Sequence, residues 1–223
     1  MATNEIYLHS CWYGSFSVTV PMGCSLVVEW GDGGVEHRVS WRGLETFIRN
    51  YPRDDSIYGD NAVYCTHVYA KDDAPILEFD CWSSSTEAKK RVDTLHCPSL
   101  LALRCTVLEP PDLSGNPLLK ELYCDNSRFE TLDLSHNPAL EVLSCFGCRN
   151  LTKLNLSRNA ALRELNIAFS GVKKLGLSNR SALQWVDYQY SHLDAKSEEY
   201  LLRIIGQNGG TVVKPYGWGD DDE

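Results

Sequence analysis

The sequence predicts a mainly β protein: an N-terminal β-sandwich, then a short solenoid, then a helical cap. Three observations carry this. A Leu-x-Leu-Ser motif recurs in phase through residues 113–178, apolar and polar residues alternate in short runs before residue 85, and a helical apolar stripe appears only after residue 193. The chain of 223 residues, 43% of them hydrophobic, is long enough for one large core or two small ones. It contains no run near the roughly 18 apolar residues that a membrane helix needs.

The repeat defines the middle of the chain. Leu132-Asp133-Leu134-Ser135, Leu154-Asn155-Leu156-Ser157 and Leu175-Gly176-Leu177-Ser178 are full copies, and Pro111-Asp112-Leu113-Ser114 is a weaker one. The second apolar residue advances from 113 to 134, 156 and 177, steps of 21, 22 and 21. A second series lies between them: Leu103-Arg104-Cys105, Leu122-Tyr123-Cys124, Leu143-Ser144-Cys145, Leu165-Asn166-Ile167 and Val186-Asp187-Tyr188. Apolar residues at alternate positions share one face of an extended segment. Two such segments per repeat make a flattened coil with two walls, and stacking the coils buries their inward faces. Cys105, Cys124 and Cys145 fall at inward positions, where a reduced cysteine acts as a small hydrophobe. Asn116, Asn137 and Asn159 follow each Ser by two residues, placed to bond the backbone of adjacent turns. Arg180 stands at that position in the fourth coil, so the ladder is expected to end there.

These repeats resemble the irregular leucine-rich repeats common in gut Bacteroidetes, Leu-x-x-Leu-x-Cys-x-x-Asn-x-Leu-x-x-Leu-Asp-Leu-Ser-x-Asn-Pro-x. Leu140 through Cys145 and Leu151 through Asn159 match closely. Leu119 through Cys124 and Phe129 through Pro138 match nearly as well. Ser127, Cys148 and Ser170 depart from the pattern where it has its first Asn. The resemblance implies a curved solenoid with a parallel sheet on its concave side, and a role in protein binding.

Residues 1–88 are expected to form the sandwich. Ser15 to Val20 alternates, Ser25 to Trp30 is strand-like, and Leu77, Phe79 and Cys81 alternate. Gly31-Asp32-Gly33-Gly34 is a turn signal. Trp30-Gly31-Asp32-Gly33 with His67-Val68-Tyr69 resembles the signature of PKD-type immunoglobulin-like domains, which often precede such repeats. The resemblance implies that His67 packs within the sandwich or bonds to a turn. The insert from Trp41 to Ala62 is expected to contain a helix around Leu44 to Asn50. Residues 89–192 form the solenoid and residues 193–223 a cap with an acidic tail. Asp194 caps a helix through Ile205, with Tyr200, Leu201, Ile204 and Ile205 as its stripe and Gly206 as its end. Thr211 to Val213 can add a last strand.

The net charge is −9. Residues 92–192 balance at ten basic and ten acidic, so the excess lies in the flanks. An acidic chain without a basic stripe argues against nucleic acid and anionic membrane and leaves a protein partner, possibly basic. Met1 to Gly14 holds no Lys or Arg and no apolar run, which reads as a chain without an export leader and hence cytoplasmic. Cys145-Phe146-Gly147-Cys148 sits on repeat positions and reads as structural; zinc would need four convergent ligands, and no second such pair exists. The acids Glu29, Asp32, Asp54, Asp55, Asp72 and Asp73 read as solvated loops without the twelve-residue calcium pattern. No motif supplies a nucleophile with its base, or a phosphate loop. The chain is therefore expected to be non-catalytic, without cofactor or metal.

Alternation assigns the outward positions of the strand series. These are Ala102, Arg104 and Thr106; Glu121, Tyr123 and Asp125; Val142, Ser144 and Phe146; Glu164, Asn166 and Ala168; Trp185, Asp187 and Gln189. Of these, Arg104, Glu121, Tyr123, Asp125, Ser144, Phe146, Glu164, Asn166, Trp185 and Asp187 are expected to bind the partner, with Tyr123 and Phe146 as aromatic anchors. Trp185 either joins them or packs under the cap, and Phe146 either joins them or packs on the N-terminal domain. The opposite wall, with Thr131, Asp133, Lys153, Asn155 and Lys174, reads as solvated. The expected function is protein–protein interaction, in its sharper form that of an immunity or inhibitor protein; the alternative is an exported adhesion protein.

Overall fold

The computed structural model describes residues 4–10, 13–50, 64–81 and 91–213. Eight strands come first: β1 (Glu5–Ser10), β2 (Tyr13–Thr19), β3 (Ser25–Glu29), β4 (Val35–Val39), β5 (Leu44–Asn50), β6 (Tyr64–Ala70), β7 (Glu78–Cys81) and β8 (Arg91–Asp93). Five of them form an antiparallel sheet in the order β4-β3-β6-β1-β8. The glycine turn joins β3 to β4: Gly33 takes a left-handed φ of 89°, and the Asp32 carboxylate accepts the Gly34 N–H at 3.0 Å. β2, β5 and β7 belong to a second sheet whose inward aromatics meet the first. The Phe16 ring lies 5.2 Å from Phe47, 5.3 Å from Phe79 and 5.7 Å from Trp30.

The segment Leu44–Asn50 is a strand and not the expected helix. It pairs with β2 along its whole length. Period two wins over period 3.6 here: Phe47 is buried, whereas Leu44 and Ile48 remain 56% and 61% exposed. A helix would have had to bring Leu44, Phe47 and Ile48 to one buried face.

The rest of the chain builds a β-solenoid of about five turns. Its strands are β9 (Ala102–Cys105), β10 (Glu121–Tyr123), β11 (Val142–Ser144), β12 (Lys153–Leu156), β13 (Glu164–Asn166), β14 (Lys174–Leu177) and β15 (Trp185–Asp187). A helix, α1 (Ala195–Gln207), and β16 (Thr211–Val213) close it. On one wall β9, β10, β11, β13, β15 and β16 run parallel; on the other, β12 pairs with β14. The registers align Phe79, Leu103, Leu122, Leu143, Leu165 and Val186 in one buried row. Each of these side chains contributes about 1.5–3 kcal/mol through burial.

β7 is the joint between the two parts. It is antiparallel to β2 on one side and parallel to β9 on the other. The N-terminal strands therefore extend the solenoid sheet sideways into nine strands, and the buried residues form one continuous core. At the far end Leu201, Ile204 and Ile205 of α1 cover the last coil. The Asp194 side chain accepts the Ser197 N–H at 2.8 Å. The helix runs through Gly206 to Gln207, one residue past the expected stop, and Asn208 ends it.

Buried asparagines tie coil to coil. The Asn116 amide donates to the carbonyls of Thr94 and Cys97, both at 2.8 Å. Asn137 donates to Leu113 and Asn116, and Asn159 to Leu134 and Asn137, all at 2.8–3.0 Å. The regular series stops at the fourth coil, where Arg180 is exposed. Asn208 then reaches back from the helix end to the carbonyls of Ser181 and Leu183 at 3.0 and 2.8 Å.

Two outcomes are expected. Asn137→Ala removes two buried hydrogen bonds, leaving the Leu113 and Asn116 carbonyls one backbone bond each, and lowers the unfolding free energy in urea by about 1–3 kcal/mol, whereas exposed Asn150→Ala costs less than about 1 kcal/mol. The Ser197 hydroxyl and N–H hold the Asp194 carboxyl below its usual range. Its contribution is full above the free aspartate value of about 3.9 and disappears as pH falls through the lowered value. The Tm of Asp194→Ala thus lies below wild type at neutral pH and converges with it in acid.

Candidate functional site

The parallel wall turns one face outward. Arg104 organises its first third: the guanidinium lies 4.9 Å over the Tyr123 ring, 3.0 Å from a Glu121 oxygen and 3.8 Å from Glu78. Glu78 comes from β7 and was outside the sequence-derived face, because the repeat pattern begins only at residue 103. Burial, then Glu121, raises the Tyr123 phenol above its usual range, with Arg104 opposing. Asp125 accepts the Ser144 hydroxyl at 2.5 Å and the Phe146 N–H at 3.0 Å. Burial outweighs these two bonds, so its carboxyl sits above the usual range.

Four positions expected to be exposed are buried: Ala102, Thr106, Ser144 and Ala168. The two alanines are too short to reach past their neighbours. The Thr106 hydroxyl donates to the Asp125 carbonyl at 3.0 Å, and the Ser144 hydroxyl is taken up by Asp125. Ser144 therefore orients Asp125 and offers little surface to a partner. Arg104, Glu121, Tyr123, Asp125, Phe146, Asn166, Trp185 and Asp187 are half-buried, and Glu164 is exposed. Thr131, Asp133, Lys153, Asn155 and Lys174 on the opposite wall are all exposed, as expected. Beside that wall a cleft of ≈ 820 Å³ opens between β14 and α1, lined by Leu175, Leu177 and Tyr200 with Lys174, Lys196 and Arg203.

At the carboxyl ends of the parallel strands the turns stack. Asn126, Gly147, Phe169 and Tyr190 occupy equivalent positions with φ of 56°, 69°, 56° and 53°. Their N–H groups continue the ladder: Asn126 to the Phe146 carbonyl, Gly147 to Ala168 and Phe169 to Gln189, at 2.7–2.9 Å. Asn and Gly suit the left-handed region, whereas a bulky aromatic there costs about 1–2 kcal/mol. Phe169 and Tyr190 are nevertheless 41% and 49% exposed. Phe146 meets Phe169 edge-on at 5.4 Å, and Phe169 stacks on Tyr190 at 4.6 Å. Sequence reasoning missed Phe169 and Tyr190, although aligning the coils places both in line with Asn126 and Gly147.

The cysteine pair is part of the core. Cys124 and Cys145 sulfurs lie 3.5 Å apart, and the Cys148 thiol donates to the Cys124 carbonyl at 3.1 Å. The thiols of Cys145 and Cys148, with burial, push Cys124 well up. Cys145 is also raised: Cys124 draws it down, but Cys148 and burial outweigh that pull. Cys148 must keep its proton to donate to a carbonyl, against the downward pull of its two thiol neighbours. Cys148 thus fills the turn slot held by Ser127 and Ser170 in other coils. Among the described residues no cluster of His, Cys, Asp and Glu has the arrangement to hold a metal ion.

His67 does not point into the core; it is half-buried on the outer face of β6. The strand turns Thr66 and Val68 inward, so His67 faces outward, stacked at 4.3 Å on Tyr7. Its ring nitrogens lie 2.9 Å from Glu5 and 3.2 Å from Glu29. No protein-family model and no curated protein matches the chain.

Thiol labelling of the native protein tests the cysteine assignment. A maleimide is expected to modify exposed Cys65 and to leave Cys124, Cys145 and Cys148 untouched until denaturant is added.

Proposed function

We propose that the chain is a non-catalytic protein-interaction module that holds a protein partner on the outward face of its parallel sheet. On this reading the solenoid is an irregular leucine-rich-repeat array and the N-terminal region a PKD-like domain. The supporting observation is the joint at β7. The N-terminal strands meet the solenoid at its edge and do not lie across its face, so among the described residues Tyr123 and its neighbours stay partly exposed. Among the described residues of β7 to β15, that face carries Glu78, Glu121, Asp125, Glu164 and Asp187 around the base Arg104. The partner's contact surface is accordingly basic, and charge complementarity speeds its encounter. Sequestration of one such partner, as an immunity or inhibitor protein does, is the sharper form.

The test is affinity capture from native cells, followed by titration of the purified partner. Tyr123→Ala/Phe146→Ala should weaken binding at least about tenfold, near 1.4 kcal/mol. Unchanged affinity removes this face as the binding surface.

A further inference from the structure

The sheet face shows how it holds a guanidinium. Arg104 lies over one aromatic ring, Tyr123, with two carboxylates, Glu121 and Glu78, beside it. The far part of the face holds related ingredients, spread along the strands. The aromatic run Phe146–Phe169–Tyr190 lies past the carboxyl ends of the strands, on the side of Asp187, whose carboxylate accepts the Gln189 N–H at 3.0 Å, and Glu164 stands at the amino end of β13. Among the described residues no Lys or Arg stands over these three rings, and none pairs with Glu164 or Asp187.

The rings stack on one another, yet folding explains only part of their cost. Phe169 and Tyr190 hold a backbone conformation that suits Asn or Gly, which earlier coils use, and they leave much of their surface in water. A strained position whose side chain the core does not need points to a role in binding. Three neighbouring aromatics with little flexibility are suited to anchoring a partner.

We propose that Phe146, Phe169 and Tyr190, with Glu164 and Asp187, form a docking site for an arginine-bearing segment of a protein partner. The site rests on the strand-face reading above and adds to it the partner's chemistry and the end of the sheet that takes it. A planar guanidinium stacks on an aromatic face and pairs with carboxylates at its edge; an ammonium pairs but stacks less well. Arginine is therefore preferred over lysine.

The test uses acetylated hexaarginine amide as probe, with hexalysine and hexaglutamate as comparisons, titrated against the full chain. Hexaarginine should bind severalfold tighter than hexalysine, weaken as salt rises and exceed hexaglutamate at every salt. The decisive variant is Phe169→Gly/Tyr190→Gly. Glycine relieves the left-handed positions while giving up the ring stacking, so this variant should still unfold cooperatively and lose hexaarginine about tenfold. Glu164→Gln/Asp187→Asn should also lose it severalfold. Loss in Tyr123→Ala but not in the glycine variant overturns this site and leaves the broader strand face standing. Insensitivity to all three variants overturns both. Hexaarginine affinity retained by the folded glycine variant overturns the proposal, as does equal binding of hexalysine.

Discussion

A coil of about 21 residues cannot enclose its own inward side chains, and everything else in this structure follows from that shortfall. Leu122, Leu143 and Leu165 are fully buried because each lies between like residues of adjacent coils. The same stacking buries polar backbone, which must find partners in place of water. The asparagines meet this need across the gap between coils, each donating twice to the preceding level. Their own oxygens are less well served: Oδ1 of Asn137 and of Asn159 is buried without a partner among the described residues.

Because the stack is open in principle, its ends decide whether the protein is soluble and single. At one end β7 supplies a row of hydrogen bonds to β9 while belonging, through β2, to the N-terminal core. At the other, α1 covers the inward side chains and β16 extends the sheet by one strand. Asn208 does for the last coil what the ladder asparagines do inside the array. Among the described residues, both additions meet the array at its edge or end and not across its strand face.

The array was legible in the sequence because Leu and Cys recur in phase, and the cap because Asp194 and the following stripe obey local helix rules. Leu44–Asn50 was misread because its apolar spacing fits two periods, and only the pairing with β2 selects one. The joint at β7 was hidden since nothing in residues 78–81 tells a strand whether its second neighbour will be parallel. Alternation placed most of the outward side chains but not their fate: Ser144 points outward and is consumed by Asp125. The aromatic edge was readable in principle. It needed a comparison of turn positions, because the strand pattern ends just before Phe169 and Tyr190.

The double role of β7 also constrains how such a protein can change in length. The coils that carry β10 and β11 meet only coils like themselves, so one more or one fewer there leaves every contact type intact. The terminal coils meet surfaces found nowhere else in the chain and cannot be duplicated or trimmed without exposing a raw edge. The array can lengthen only from within, and a longer relative would carry the same first strand and the same closing helix around a wider sheet.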